Sequence, residues 1–306
     1  MIVREPRVAS PYRARLAAVP VREDVVHVAG SDTAYWTYDV PPVGGAAPAD
    51  EPVTIIAVHG FRGDHHGLEP VVAHLSGVRV VMPDLPGFGE STPLEGEHSV
   101  AAYSAWLRAF VGALGLGDDV VVLGHSFGSI VTSAAVADGL RASRLVLVNP
   151  IAAPALSGPR GVLTRLAVFY YWAGAALPEG PGQALLRAAA VVRITSLAMV
   201  KTHERGLRRW IHDQHDSYFS RFSDRRVVLD AFRASVSSDV STYADRVAVP
   251  TLLVAADRDD ITALPAQHAL QRRFADARLV VIEGVGHLIH YEKPAEAAVA
   301  VQGFLP

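Results

Sequence analysis

The chain has 306 residues, no cysteine and a formal net charge of −3, and half of its residues are hydrophobic. A chain of this length forms one large domain or two ordinary ones, with enough buried surface for a real core. The missing cysteine excludes disulfides, thiolate metal sites and a cysteine nucleophile, and the near-neutral charge argues against nucleic acid as a partner.

Two segments bear on the location of the protein. Residues 1–16 carry charges throughout and lack the apolar stretch of a secretory signal. Residues 166–177 are the most apolar segment of the sequence, but about 12 residues are too few to span a bilayer. We therefore expect a cytoplasmic protein without a membrane span.

The first half of the sequence alternates between strand and helix patterns. Residues 24–28 and 34–40 predict a β-hairpin, and the Pro- and Gly-rich residues 41–52 predict a loop. Apolar, β-branched runs then predict strands at 53–58, 78–82, 119–124 and 144–149, separated by helices at 68–75, 99–114 and 127–140. This alternation favours an α/β fold with a parallel sheet and helices on both faces.

The alternation stops at Pro150 and resumes near residue 248. Between these points the pattern predicts four helices, at 160–177, 183–200, 202–219 and 224–236. Strands at 251–256 and 278–283 and helices at 264–274 and 294–304 then complete the sheet pattern. We therefore predict a core domain of residues 1–149 and 248–306 and a helical cap of residues 150–247. The cap would cover the carboxyl edge of the sheet, where such folds bind ligands.

The strongest motif is Gly124-His125-Ser126-Phe127-Gly128, which directly follows a predicted strand and opens a predicted helix. This is the G-x-S-x-G nucleophile elbow in its strand–turn–helix context. The turn is strained and tightly packed, so both flanking glycines must lack a Cβ. We expect Ser126 to be a nucleophile, with the backbone N–H of Phe127 as one oxyanion donor.

A serine hydroxyl needs a base, and the base needs an orienting carboxylate. His287 lies in the loop after the last predicted strand, with His290 as the alternative base. Asp257, Asp259 and Asp260 all follow the strand at 251–256, so each is a candidate acid. The chain order serine, acid, histidine is that of one particular triad lineage.

These motifs resemble those of the α/β-hydrolase fold, and the resemblance covers about residues 21–304. It implies a mostly parallel eight-stranded sheet with helices on both faces and an inserted helical cap. Matching the strand-end pattern of the family makes Asp259 the acid. The family ending matches His287 followed by Glu292. The loop His59-Gly60-Phe61 resembles the family's oxyanion loop, which implies the Phe61 N–H as the second donor.

Three other features have a structural interpretation. The segment Asp84 to Ser91 resembles a loop-shaping glycine motif of the same family, and it lacks the third glycine of a dinucleotide fingerprint. Arg62 and Asp64 could contact substrate, but we expect them to form a solvated surface pair. No metal or other cofactor is expected, because the histidines at 59, 65 and 66 do not have the spacing of a dinuclear site.

The predicted cap supplies the candidate substrate contacts. Phe169, Tyr170, Tyr171 and Trp172 are consecutive aromatic residues in its first helix, where they could line an acyl pocket or pack the cap interior. We take Phe169, Tyr170 and Trp172 as the substrate-binding candidates.

Together these features predict a serine hydrolase that cleaves a small to medium, largely apolar carboxylic ester, as a monomer or homodimer. The same residues also suit hydrolysis of a C–C bond in a ring-cleavage dienoate. A third hypothesis, from a different class, is a ligand-binding or signalling module with a vestigial site.

Overall fold

The computed structural model describes residues 6–43, 51–153 and 161–306, with the backbone alone for 161–166. Part of the loop predicted at 41–52 and the start of the helix predicted at 160–177 lie outside these residues.

The centre of the fold is an eight-stranded sheet with the order β1-β2-β4-β3-β5-β6-β7-β8. The strands are β1 (Val21–Val28), β2 (Ser31–Val40), β3 (Val53–Val58), β4 (Val78–Pro83), β5 (Val121–His125), β6 (Arg144–Val148), β7 (Thr251–Ala256) and β8 (Ala277–Ile282). The hairpin β1–β2 and the pair β2–β4 are antiparallel, and the other neighbours are parallel. The predicted α/β fold with a mostly parallel eight-stranded sheet is confirmed.

Helices accompany the strands along the chain. They are α1 (Arg13–Leu16), α2 (Glu69–Val72), α3 (Val100–Ala113), α4 (Phe127–Ala137), α5 (Gly161–Ala176), α6 (Glu179–Leu186), α7 (Ala189–Met199), α8 (Arg205–Tyr218), α9 (Arg225–Ser237), α10 (Ser241–Ala244), α11 (Leu264–Gln271), α12 (Ile289–Glu292) and α13 (Pro294–Gln302). The hydroxyl of Ser99 caps α3 by accepting from the N–H of Ala102 at 3.2 Å, as its sequence position predicts.

The sheet has one apolar core on each face. Along β3, Ile56 and Val58 belong to one core, whereas Ile55 and Ala57 belong to the other. Alternate residues of a strand point to opposite faces, so a run that is apolar throughout is the pattern of a strand buried on both sides.

The described residues from Gly161 to Ala244 between β6 and β7 form the helices α5 to α10, and we call these helices with their connecting loops the helical insertion. The helix predicted at 183–200 is in fact two helices, α6 and α7, because Ala188 leaves the helical region with φ −61° and ψ 117°. The break frees the carbonyl of Leu186, which accepts a hydrogen bond from the distant side chain of Arg62. The local hydrophobic pattern does not show a contact with a distant segment, so it predicted one continuous helix where the structure has two.

Candidate active site

Ser126 occupies the sharp turn between β5 and α4, with φ 53° and ψ −118°. The glycines of the motif are required by packing. A Cβ on Gly124 would lie 2.3 Å from the hydroxyl of Thr132, and a Cβ on Gly128 would lie 2.3 Å from the carbonyl of Val58. Such distances are far below van der Waals contact, so only glycine lets α4 pack against the sheet here.

A chain of hydrogen bonds connects Ser126, His287 and Asp259. The Oγ of Ser126 lies 2.7 Å from Nε2 of His287, and Nδ1 of His287 lies 2.8 Å from Oδ2 of Asp259. Both the imidazole and the carboxylate are buried. With the carboxylate accepting from Nδ1–H, Nε2 carries the lone pair and accepts from the serine hydroxyl.

The loop after β7 holds Asp259 in place and keeps it ionised. Its Oδ1 accepts from the N–H groups of Ile261 at 2.7 Å and Thr262 at 3.1 Å. Burial alone would raise the pKa of Asp259, but His287 and these two N–H groups together lower it below its usual value. A carboxylate in this environment can stabilise an imidazolium.

The two alternative acids and the alternative base have other partners. Asp257 accepts from the N–H of Val285 at 3.2 Å, and Asp260 lies 2.5 Å from Nζ of Lys201. His290 packs beside His125, with their ring centroids 4.0 Å apart. The structure therefore brings Asp259 and His287, rather than these alternatives, into the chain that ends at Ser126.

The loop that contains Phe61 lies against the nucleophile. A tight turn, closed by a 3.1 Å hydrogen bond from the N–H of Gly63 to the carbonyl of Gly60, presents this segment. We call residues 60–63 the oxyanion turn. Gly60 is so close that an added Cβ would lie 3.2 Å from the Cβ of Ser126. Phe127 is the first residue of α4, where N–H groups lack intrahelical acceptors. That the backbone N–H groups of Phe61 and Phe127 donate to an oxyanion stays a prediction.

The aromatic residues of α5 divide between the surface and the interior. Phe169 and Trp172 are 62% and 61% exposed and stack on each other, and the hydroxyl of Tyr170 donates to the carbonyl of Leu185. Tyr171 is buried instead, with its ring centroid 5.9 Å from that of Phe61. Residues 169 and 172 share a helix face that 171 does not. A contact of Phe169, Tyr170 or Trp172 with substrate stays a prediction.

The expectation of a solvated pair at Arg62 and Asp64 is wrong, since both side chains are buried. Arg62 reaches into the helical insertion, and Asp64 caps a short turn by accepting from the N–H of His66 at 3.1 Å. The buried positions arise from packing between segments far apart in the sequence, which local polarity does not report.

Asp64, His65 and His66 bring possible metal-ligand atoms within 4.8 Å of one another. Both histidines already contact carboxylates of the protein. His65 Nδ1 lies 3.0 Å from a carboxylate oxygen of Asp84, and His66 Nδ1 lies 3.2 Å from one of Asp64. The rings of His65 and His66 also stack on Trp36 and Tyr218, respectively. These contacts fit the interpretation of a packed loop.

The glycine motif beginning at Asp84 shapes the loop after β4. Asp84 accepts from the N–H groups of His65 at 2.8 Å and Glu90 at 2.9 Å, and its carbonyl accepts from the hydroxyl of Ser91. A Cβ on Gly89 would lie 1.9 Å from the carboxylate of Asp84. The close approach explains the glycine and supports the structural interpretation.

Asn149 contacts the site but was not among the residues chosen from the sequence. It follows β6 with φ 46°, and its side-chain N–H donates to Oδ2 of Asp259 at 3.0 Å. One signal was available, since a polar residue ends an apolar strand at the carboxyl edge of the sheet.

Comparison with known proteins is consistent with this fold and geometry. Residues 55–301 match the family model described as the alpha/beta hydrolase family. Lipase 1 of Psychrobacter immobilis is 25% identical over 258 residues, which cover 82% of this chain and 75% of the relative. The chain therefore belongs to the alpha/beta hydrolase family, and it is a hydrolase.

Solved structures show the same fold. A bacterial membrane phospholipase A superposes with a TM-score of 0.70 at 20% identity, covering 96% of this chain and 87% of the other. A thermophilic esterase from Thermogutta terrifontis superposes with a TM-score of 0.69 at 22% identity, covering 93% of this chain and 98% of the other. Within the described residues, no helix combines the length and apolarity needed to cross a membrane.

Proposed function

We propose that the protein is a serine hydrolase that cleaves a small to medium, largely apolar carboxylic ester through an acyl-enzyme on Ser126. The observation that carries this proposal is the hydrogen-bonded chain from Ser126 Oγ through His287 to Asp259, with distances of 2.7 and 2.8 Å. These are the distances needed to remove a proton from the nucleophile.

The reaction has two halves. In the first, Ser126 Oγ attacks the ester carbonyl carbon while Nε2 of His287 takes the hydroxyl proton. The tetrahedral intermediate then collapses, the C–O bond to the alcohol breaks, and His287 returns the proton to the leaving oxygen. In the second half, water attacks the acyl-enzyme with the same base, which releases the acid and restores Ser126. Asp259 stays ionised throughout and stabilises the imidazolium.

The backbone N–H groups of Phe61 and Phe127 are the proposed donors to the oxyanion. Two observations support this role. The oxyanion turn lies directly against Ser126, and Phe127 opens a helix whose first N–H groups lack intrahelical acceptors. Donors fixed before the reaction stabilise the developing charge without reorganisation, and losing one typically costs about 3–4 kcal/mol of transition-state stabilisation.

The proposed substrate class follows from apolar surroundings and from the relatives. The ring of Phe61 contacts Phe88, Phe127, Tyr171 and Phe232, with centroids about 6 Å away. The matched proteins include a lipase, a phospholipase and an esterase, and the substrates of these three classes are carboxylic esters. We assign residues 150–247 as a cap that selects the acyl group.

Fluorophosphonate labelling tests the proposal. The probe should label the wild type at Ser126, and p-nitrophenyl butyrate should be hydrolysed. Ser126→Ala should abolish labelling and turnover. Ser133→Ala is the matched control, because Ser133 is a buried serine of α4, the helix that follows Ser126, and its hydroxyl has no hydrogen-bond partner among the described residues. The Ser133→Ala variant should still be labelled and should still hydrolyse p-nitrophenyl butyrate.

Two other outcomes would contradict the proposal. A wild-type chain that is not labelled, with Ser126→Ala binding the same ligand equally well, would indicate a binding module. Turnover of ring-cleavage dienoates without turnover of any acyl ester would indicate a C–C hydrolase. An acyl-chain-length series measured beside the dienoates distinguishes these outcomes.

A further inference from the structure

Arg62 follows the proposed oxyanion donor Phe61, and its side chain is directed into the helical insertion. Only 7% of the residue is exposed. Its Nε donates to the carbonyl of Phe219 at 2.8 Å, its Nη2 to the carbonyl of Leu186 at 2.9 Å, and its Nη1 to the hydroxyl of Tyr171 at 3.2 Å. The acceptors belong to the ends of α8 and α6 and to α5, so one side chain connects the oxyanion turn to three helices.

The buried charge is balanced without a carboxylate among these acceptors. Leu186 is the last residue of α6 and Phe219 is the C-cap of α8, and carbonyls at helix C-termini carry partial negative charge. The ring of Phe222 adds a cation–π contact, 5.4 Å from the guanidinium carbon. The described contacts that stabilise the guanidinium therefore all come from the helical insertion in its present position.

The backbone at Arg62 opposes this arrangement. Arg62 is the second central residue of the oxyanion turn and has φ 62°, in the left-handed region. A side chain with a Cβ is strained in this region, whereas glycine adopts it freely. A residue held in such a conformation persists because its surroundings over-determine it. Here those surroundings are the three acceptors of the guanidinium.

We infer that Arg62 is a positioning residue that holds the oxyanion turn against Ser126 by tying it to the helical insertion. The inference rests on the proposed function, because the turn has a catalytic role only if Ser126 is acylated. It also has a consequence for the insertion. A displacement of α6 or α8 pulls on the same turn, so closure of the insertion and alignment of the Phe61 N–H are coupled.

Arg62→Gly is the sharpest test, because it removes the whole side chain with its three hydrogen bonds and leaves no strained Cβ that could itself displace the turn. We expect kcat for p-nitrophenyl butyrate to fall by about 100-fold, as a misplacement of roughly 1 Å does, while KM changes little. Arg62→Lys should recover part of the loss, since one ammonium cannot reach three acceptors. Rates are expressed per active site titrated with fluorophosphonate, so a smaller amount of folded protein does not lower the measured kcat.

Arg187→Gln is the matched control. Arg187 also donates to backbone carbonyls, those of Phe222 at 2.6 Å and Ser223 at 3.2 Å, and its guanidinium carbon lies 4.8 Å from the same Phe222 ring. These contacts stay within the helical insertion. We expect Arg187→Gln to lower thermal stability while leaving kcat per active site unchanged.

A transition-state analogue separates positioning from a general structural role. A trifluoromethyl ketone adds Ser126 Oγ to its carbonyl carbon, and the resulting oxyanion occupies the same donors as the reaction intermediate. Its inhibition constant should rise in Arg62→Gly by the same factor as kcat/KM falls. Wild-type kcat together with a wild-type inhibition constant in Arg62→Gly would overturn the inference.

A second variant and a second measurement cover other outcomes. If Arg62→Gly does not fold, Tyr171→Phe removes a single acceptor and should give a smaller loss of kcat, whereas an unchanged kcat would count against the inference. Amide exchange of residues 60–63 should be faster in Arg62→Gly than in wild type, and unchanged exchange would overturn the inference. A wild type that takes no fluorophosphonate and hydrolyses no ester would contradict the proposed function instead.

Discussion

Asn149 donates a hydrogen bond to the same oxygen of Asp259 that receives Nδ1 of His287, at 3.0 and 2.8 Å respectively. The other oxygen of Asp259 accepts two backbone N–H groups. The carboxylate therefore accepts from four donors. Two of them are side chains, and of these His287 takes part in the proposed proton transfer and Asn149 does not. A neutral donor here favours the ionised acid without competing for the proton.

Asn149→Asp should destabilise the fold most at neutral and alkaline pH, and less in acid. The change replaces a donor by a second buried carboxylate beside Asp259, so repulsion raises the pKa of the pair above the unfolded value. We expect the free energy of unfolding to fall by about 3 kcal/mol at pH 8. Because the folded pair binds a proton more readily than the unfolded chain, this deficit shrinks as the pH falls. Urea unfolding at several pH values measures it.

Asn149→Gly is the control for that prediction. Glycine tolerates the φ of 46° and removes the donor without adding a charge. Its deficit in unfolding free energy should vary much less with pH than that of Asn149→Asp. Equal pH dependence in the two variants would contradict an electrostatic effect on Asp259.

Asp259→Asn should lower kcat by about 10⁴-fold, because an amide cannot stabilise the imidazolium or hold the same tautomer of His287. Asp257→Asn is the matched control, since Asp257 lies on the same loop but accepts from the N–H of Val285. Its kcat should stay near the wild-type value. Near-normal turnover in Asp259→Asn with loss in Asp257→Asn would show that the acid is Asp257.

Buried neutral histidines should make the fold sensitive to mild acid. Burial, with nearby cationic or histidine neighbours, lowers the pKa of His125 and His215 to about 3, and it lowers that of His290 well below the usual value. Folding therefore excludes protons that the unfolded chain binds below its own histidine pKa of about 6.5. The stability is fully present above that pH and is lost as the pH falls towards the folded values.

The expected slope can be measured by denaturant unfolding between pH 5.5 and 4.5. Each of the three histidines contributes about 1.4 kcal/mol per pH unit, and together they contribute about 4. His215→Gln should reduce the slope by one proton, whatever its effect on stability at pH 8. A slope unchanged by His215→Gln would contradict the neutral, buried state of this ring.

Two glycine substitutions should have opposite effects. Gly128→Ala would place a Cβ 2.3 Å from the carbonyl of Val58, so α4 must move away from β3 and turnover should be lost. Gly112→Ala lies in α3, and among the described residues nothing beyond its chain neighbours and the adjacent helix backbone comes within 4 Å of the new Cβ. It should stabilise the fold by about 1 kcal/mol and leave turnover intact. Thermal unfolding and p-nitrophenyl butyrate hydrolysis measure both, and an active Gly128→Ala would contradict the packing argument.

Local patterns carried most of the fold prediction. The inner parallel strands β3, β5 and β7 are short, largely apolar runs, and the sequence shows them clearly because burial on both faces leaves few polar positions. The position of Ser126 could be predicted because the motif depends on close packing. Any Cβ on Gly124 or Gly128 would clash with atoms a few residues away or on the adjoining strand. The hydrogen bond by which Ser99 caps the N-terminus of α3 is also a local interaction.

Errors occurred where a side chain contacts a distant segment. Arg62 donates to the carbonyls of Leu186 and Phe219, which lie 124 and 157 residues further along the chain. These contacts accompany its burial, and the contact with Leu186 uses the carbonyl freed by the break between α6 and α7. Polarity alone favoured a solvated arginine. A buried charge is tolerated only with partners, and sequence does not reveal partners brought together by tertiary folding.

The three carboxylates after β7 show most clearly what the sequence determined and what the tertiary structure decided. The sequence by itself determined that a serine, a histidine and an acid end strands at the same edge of the sheet, because parallel strands align their carboxyl ends. Only the tertiary structure decided that Asp257 turns to Val285, Asp260 to Lys201 and Asp259 to His287. The physical reason is that side-chain direction in a loop depends on neighbours supplied by other segments, which strand periodicity does not encode.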